Sequence, residues 1–548
     1  MPMGPEMRRG VDQIRDYLYG GGYPDPMSNA EQLSFLFFFY LMEAIDRDNQ
    51  LRAEAAGRAY ESIFAGDWKL RNPLNAPEEG VQTVPKAQLR WSGWARGRAG
   101  EELVRFVRDE VFPFYAEVAE RSAVNFMDGA RLGIDEPTVL SQVLTLIDRL
   151  RLHDVDPDSK GDLFEHVLKQ IKHAGELGQF RTPRHIIRTI VELVDPRIGE
   201  TIYDPAAGTA GFLVAAYNHI RLANSSGDGL EEVELDGKPQ RRGHGDRLSD
   251  AHRRRLQNET FYGCDVDAKM VRLATMNLTL RGLANVRIHR RNVLTTTFDR
   301  AWKAEQHWPL DGFDVVLANP PFSGKLDKDR IVDDVKVGTT TATEILFLKH
   351  MMDSLRPGGR CGVIVPEGVL FGSTGAHKEL RRQLVENNTV EVVLSLPGGV
   401  FQPYSGVKTS VLVFRQGGGT ERVMFLHADA DGYKLDAQHE TPIEADDLPG
   451  LVAAFNSRED LWEDWQGRDE NAEWTEKWWF AQADAIRADD FKLSAGGYRP
   501  MTQAQVEHRN PLELLDEIKA IELEILEELD ALGDQLREGA PQRLEAAE

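Results

Sequence analysis

Two cysteines, Cys264 and Cys361, are all that 548 residues carry. They are too few for a disulfide framework and suit a reducing compartment, so a cytoplasmic location is expected. Long apolar runs are missing as well. The most hydrophobic stretch, Phe35 to Met42, is too short to cross a bilayer and reads as a buried helix, and no secretory signal is visible at the N-terminus, so no membrane role is expected. There is no GxxxxGK[ST] phosphate loop either, because Gly237-Lys238 is followed by Pro239 and Gly324-Lys325 by Leu326; a built-in translocase motor is not expected. Basic residues are in deficit, 65 Lys and Arg against 89 Asp and Glu, for a net charge of −24.

That acidity is unevenly spread. Residues 421 to 548 hold 12 basic against 32 acidic residues, which leaves only −4 for residues 1 to 420. Hydrophobic periodicity divides the chain in three. Residues 1–155 show helical spacing, as in Ile14, Leu18, Leu33, Leu36, Phe37, Tyr40 and Leu41, and read as a helical N-terminal domain. Residues 156–430 alternate strands with helices, which implies an α/β fold with a doubly wound sheet and a ligand at the carboxyl ends of its strands. Residues 431–548 are acidic. There Leu515, Ile518, Ile525, Leu529, Leu532 and Leu536 keep heptad spacing, with Glu522 the exception, so the tail reads as a coiled-coil-like helix or as an amphipathic helix packed on its own domain. Trp462, Trp465, Trp474, Trp478 and Trp479 crowd the preceding segment and read as a small core, with an interface anchor as the second reading.

What the chain does have is Asn319-Pro320-Pro321-Phe322 directly after Phe313 to Ala318, an apolar run that reads as a buried parallel strand. The two prolines fix φ and remove two donors, leaving a stiff loop that presents carbonyls. Such a loop suits methyl transfer to a poorly nucleophilic amine such as that of adenine. Its nitrogen lone pair is delocalised, and the Asn319 amide oxygen and the Pro320 carbonyl are acceptors that pull the nitrogen toward tetrahedral geometry. Upstream, Asp204-Pro205-Ala206-Ala207-Gly208-Thr209-Ala210-Gly211-Phe212 follows a short strand and opens a helical run to Ile220, the first βα unit of a nucleotide-binding sheet. It lacks the dinucleotide GxGxxG, and an acid at the strand end favours a ligand carrying an amino group and a sulfonium over a pyrophosphate. The next strand, Phe261 to Cys264, ends at Asp265, a carboxylate placed to accept ribose hydroxyls. Asp265 lies 61 residues past Asp204 because residues 224 to 257 form a Gly/Asp/Arg-rich insertion. Its Arg241, Arg242, Arg247, Arg253, Arg254 and Arg255 read either as phosphate-facing or as a solvated surface.

With these motifs the chain resembles the modification (methyltransferase) subunit of type I restriction-modification systems, adenine-N6 DNA methyltransferases that use S-adenosylmethionine. The resemblance covers nearly the whole chain. It implies that Gln179, Phe180, Thr182, Pro183 and Arg184 form a segment closing over the methionine part of the cofactor, and that Asp204, Gly208, Thr209, Ala210 and Gly211 make the cofactor loop. It further implies that Asp265 binds the ribose, that Asn292 contacts the cofactor's adenine, and that Asn319, Pro320, Pro321 and Phe322 are catalytic; no metal is implied. Arg181 stands where the family usually has an aromatic residue, Asn292 where an acid is common, and Asp265 where Glu is frequent. The implied partners are DNA, a specificity subunit that reads it, and a restriction/translocase subunit. Leu355 to Arg360, Leu396 to Phe401 and Tyr404 to Thr409 also read like that family, as does Tyr17 to Pro26.

The expected chemistry is a flipped adenine stacked on Phe322, its amine hydrogens donated to the Asn319 side chain and the Pro320 carbonyl, followed by direct in-line transfer. A cytosine-C5 route needs a thiolate, and neither cysteine follows a proline in the required loop. Glutamine-N5 protein methylation, cytosine-N4 methylation and a scaffold without catalysis remain as alternatives to adenine-N6 transfer.

Overall fold

The alternating strand and helix signals beyond residue 200 resolve, in a computed structural model, into one nine-stranded sheet. The structure describes residues 5–55, 57–69, 83–120, 127–169, 182–283, 285–402, 405–436, 439–469, 473–500, 519 and 522. The strands are β1 (Ile202–Asp204), β2 (Phe261–Asp265), β3 (Arg287–Arg290), β4 (Phe313–Ala318), β5 (Leu355–Pro366), β6 (Asn388–Ser395), β7 (Thr409–Gln416), β8 (Arg422–His427) and β9 (Trp478–Gln482). Their order across the sheet is β9-β8-β6-β7-β5-β4-β1-β2-β3.

Strands β3, β2, β1, β4 and β5 run parallel. The sheet is nevertheless mixed, because β7 is antiparallel to β5 and β6, and β9 to β8. The described residues between β6 and β7 carry no crossover helix, and without one a strand can only return antiparallel. The central strands are covered on both faces. Val315 to Ala318 and Val411 to Phe414 are fully buried, which is why they read as unbroken apolar runs.

Helix Arg184–Val194 packs on one face so closely that a Cβ at Gly362 of β5 would lie 2.5 Å from Val194 Cγ2 and 2.8 Å from Ile190 Cγ2. Only glycine fits there. Helix Gly211–Ala223 follows β1, helix Ala268–Thr279 follows β2, and helix Thr343–Ser354 leads into β5. The insertion between β1's helix and β2 is an antiparallel pair, Leu230–Leu235 with Lys238–Gly243, followed by helix Asp250–Asn258. Two of its arginines are already engaged: Arg242 pairs with Asp162 at 2.6 Å, and Arg253 donates to the carbonyls of Leu248 and Gly245.

N-terminal helices dominate the chain before the sheet, with a two-stranded pair, Asp67–Lys69 and Thr83–Pro85, that periodicity did not reveal. Helix Pro26–Ala55 buries Phe35 through Leu41, as its apolar run implied. The Phe39 ring stacks on Tyr115 at 4.4 Å and meets Phe112 edge-on at 5.1 Å. This core runs on into Met270, Leu273, Met276 and Leu280 at the helix after β2. The tryptophan-rich segment supplies the β9 edge: Trp479 is fully buried, and Trp462, Trp465 and Trp478 surround the Phe480 ring at 5.2 to 6.2 Å. Residues 1–466 with 477–499 form one unit, and residues 467–476 with 500–548 a second. The heptad stripe from Leu515 to Leu536 lies outside the described residues, apart from positions 519 and 522.

Candidate active site

The strand order reverses at β1 and β4: from β1 the chain winds outward through β2 and β3, and from β4 through β5 on the other side. Loops leaving adjacent strands at such a point diverge and open a crevice. The loop after β1 begins at Asp204 and the loop after β4 at Asn319, so both motifs lie at this crevice.

The first loop is curled tightly. Ala207 N donates to Cys264 O of β2 at 2.9 Å, and Ala210 N to Ala207 O at 2.7 Å. Gly208 (φ 50°) and Ala210 (φ 65°) are left-handed, a conformation that costs a non-glycine residue about 1 kcal/mol and turns the chain abruptly into helix Gly211–Ala223. No side chain caps that helix, which leaves its first N–H groups turned to the loop. Asp265 at the end of β2 accepts Gly208 N at 3.0 Å on one oxygen and Asp267 N at 2.9 Å on the other. Asn277, buried on helix Ala268–Thr279, donates to Thr209 O at 2.8 Å and is itself gripped by Arg281, which also pairs with Glu165 at 2.9 Å. An isolated Asn in an apolar helix carries no sequence signal of this role.

On the other side, Asn319 Nδ2 donates to Thr182 Oγ1 at 2.9 Å. Its Oδ1 is buried and has no partner among the described residues. Pro320 is buried, Pro321 exposed, and Phe322 buried with its ring edge-on to Phe401 at 5.1 Å. A cavity of about 220 Å³ is lined by Thr182, Asp204, Gly208, Thr209, Gly211 and Asn319 among others, so residues from both motifs share one space.

The other expected residues differ in their relation to this space, and Asp265 and Asn292 are not part of its lining. Arg184 lines it, paired with Glu165 and with Asp236 at 3.4 Å, while its Nε has no partner among the described residues. Pro183 precedes helix Arg184–Val194 as its N-cap. Asn292 lies two residues past β3, whose Arg290 is in register with Asp265, and its Oδ1 accepts Leu294 N at 3.0 Å. Gln179, Phe180 and Arg181 lie outside the described residues.

Burial sets the electrostatics. Asp204 is 1% exposed, and desolvation, reinforced by the nearby Asp265 charge, pushes its pKa up to about 8. Burial raises Asp265 too. Asp204, which lines the cavity, is costly when ionised without a cation beside it. Cys264 and Cys361 are buried, and burial drives both thiols upward, away from thiolate reactivity.

A model of the N-6 DNA methylases matches residues 155–508. The chain belongs to the N-6 DNA methylase family. The type I restriction enzyme EcoEI methylase subunit of Escherichia coli is 29% identical over 482 residues, covering 83% of this chain and 86% of that one. Further type I methylase subunits match over 58% of their own length. A structure solved in work on complex assembly and conformational transition of the type I R-M system has a TM-score of 0.63 at 26% identity, covering 98% of both chains. The type I methyltransferase subunit from Streptococcus thermophilus shares the fold, with a TM-score of 0.60 at 16% identity over 90% of this chain and 98% of that one. The resemblance drawn from the motifs is thus confirmed: this N-6 DNA methylase is of the type I modification-subunit kind, and its activity is adenine-specific DNA methylation. Among the described residues, no helix is long and apolar enough to cross a membrane.

Proposed function

We propose that this N-6 DNA methylase takes its methyl group from S-adenosylmethionine, held by the loop after β1 and by Asp265, and delivers it to adenine N6 at Asn319-Pro320-Pro321-Phe322. The observation that carries the reading is the Asn319 amide. Its nitrogen is tied to Thr182, which leaves Oδ1 buried and unpaired in a cavity shared with Asp204.

The residues present suit that cofactor. Both Asp265 oxygens keep a lone pair after accepting their backbone N–H groups, as two ribose hydroxyls require. Asp204 is an acid whose ionised form needs a cation beside it, and the uncapped start of helix Gly211–Ala223 supplies free N–H groups. Asn292, two residues past the β3 residue that pairs with Asp265, would contact the adenine. Thr182, Pro183 and Arg184, with Gln179 and Phe180, flank the methionine end. When bound, the cofactor supplies an electrophilic methyl on a sulfonium.

The chain's own part is acceptance and exclusion. Asn319 Oδ1 and the Pro320 carbonyl accept the two amine hydrogens, which draws the nitrogen lone pair out of the ring as transfer proceeds. Phe322, braced by Phe401, gives the extruded base an apolar face. No covalent intermediate on the chain is required. Residues 156–430 are the proposed transfer domain, with residues 1–155 and 431–548 flanking it. The near-neutral charge of residues 1–420 offers little phosphate affinity by itself. DNA is therefore engaged together with a specificity subunit, and a restriction/translocase subunit completes the assembly, in the cytoplasm.

The test is to purify the chain with its specificity subunit, supply tritiated S-adenosylmethionine and a DNA substrate, and digest the product to nucleosides. N6-methyladenine is the expected label. Label in N4-methylcytosine or in protein overturns the reading. Thr182→Val keeps the shape but withdraws the acceptor that orients Asn319. Single-turnover transfer is expected to slow about tenfold, the equivalent of one lost hydrogen bond of about 1.4 kcal/mol.

A further inference from the structure

Outside the active site, three side chains far apart in sequence converge in a buried cluster. His185 stands in the first turn of helix Arg184–Val194, Asp431 in the strand Asp431–Tyr433, and His439 eight residues beyond Asp431. Both imidazoles turn Nε2 to the same carboxylate oxygen: His185 Nε2 is 3.0 Å from Asp431 Oδ2, and His439 Nε2 is 2.9 Å from it. The three donor atoms lie within 4.8 Å of one another. Asp431 is wholly buried, His439 is 5% exposed, and the Tyr433 ring stacks on His185 at 4.4 Å.

His439 decides what the cluster is built for. Its Nδ1 lies 3.2 Å from Val400 O, and a carbonyl only accepts, so Nδ1 carries a proton and neutral His439 presents a bare lone pair at Nε2. That lone pair faces a carboxylate oxygen. The contact lacks hydrogen-bond geometry, and Nε2 has no other partner among the described residues. A bridging proton must lie near the N···O line, whereas a metal ion sits off it, at the apex above the three donors. A His whose second ring nitrogen donates to a backbone carbonyl is also the usual arrangement of a metal ligand.

We infer that His185, Asp431 and His439 form a binding site for a divalent transition ion, zinc above all, with water as the remaining ligand. Two imidazoles and a carboxylate suit zinc, and donors at roughly 2.0–2.2 Å from it stand about 3.4 Å apart, against 3.0 and 2.9 Å for the two nitrogen–oxygen pairs and at most 4.8 Å for any pair here. The ion braces the catalytic loop from both sides without touching it. His185 is three residues beyond Thr182, which holds Asn319, and Val400 adjoins Phe401, which packs on Phe322. This is a positioning site, and it stands whether or not the reaction assigned above is correct.

The test uses the full-length, tag-free chain, stripped with chelator and titrated with zinc and, separately, with cobalt(II). One equivalent of zinc per chain, a raised Tm, and visible cobalt absorption bands of low-coordinate N/O ligation are expected. His439→Gln and Asp431→Asn, checked for folding by circular dichroism, lose affinity at least about tenfold and lose the bands. Where a variant fails to fold, the wild-type stoichiometry, the Tm shift and the cobalt spectrum decide. A folded wild-type chain that takes up no zinc, or variants that bind it unchanged, overturn the inference.

Discussion

Asp204→Asn is expected to make the ligand-free chain more stable at neutral and alkaline pH while weakening cofactor binding about a hundredfold. Asp204 titrates near 8 in the folded chain because it is buried, against 3.8 when exposed. Below pH 3.8 the acid is neutral in both states, and its neutral form is accommodated in full. As pH rises from there toward 8, the unfolded chain releases its proton and the folded chain keeps it, so the folded state binds more protons and loses stability with pH. At pH 7 the penalty is of order 4 kcal/mol. The amide carries no such charge and escapes it. The same substitution removes the anion that a sulfonium-bearing ligand would neutralise, worth roughly 3 kcal/mol at a desolvated site. Melting curves of both proteins from pH 5 to 9, with calorimetric titration of S-adenosylmethionine, check this. The gain in Tm grows as pH rises, and wild-type affinity for the cofactor increases through pH 8. A pH-independent difference, or unimpaired binding by the variant, refutes the assignment of Asp204.

Asn319→Ala is expected to reduce the single-turnover methylation rate by about 10²–10³, the usual effect of removing one pre-positioned partner from the transition state. Cofactor affinity changes less than about twofold, because the group acts on the amine and only as it becomes tetrahedral. Asp204→Asn and Asn319→Ala therefore separate: the first moves cofactor affinity, the second moves the rate at saturating cofactor. Retained transfer in Asn319→Ala removes the role given to that residue.

Much of the site could be read along the chain because each motif is local. A strand, a turn of small residues and a helix leave a periodic trace around Asp204, and the Asn319 loop announces itself by two prolines after an apolar strand. The expected strand Phe313 to Ala318 is β4 residue for residue. Arg184 shows where local reading stops: it lines the cavity as its position suggested, but its pairing with Glu165 and Asp236 carries no trace in the neighbouring sequence. Nothing in the stretch around Arg184 reports the carboxylates that the fold brings to it.

By itself, then, the amino-acid order determined the α/β class and the residues at the two strand ends, since periodicity and turn chemistry act over a few neighbours, and its motifs carried the resemblance to the family. Only the tertiary structure decided the reversed direction of β7, the tie from Thr182 to Asn319 across 137 residues, and the meeting of His185 with Asp431 across 246. Those contacts depend on which strands end side by side, and that is set by the packing of the whole sheet and its helices, which no short window of sequence contains.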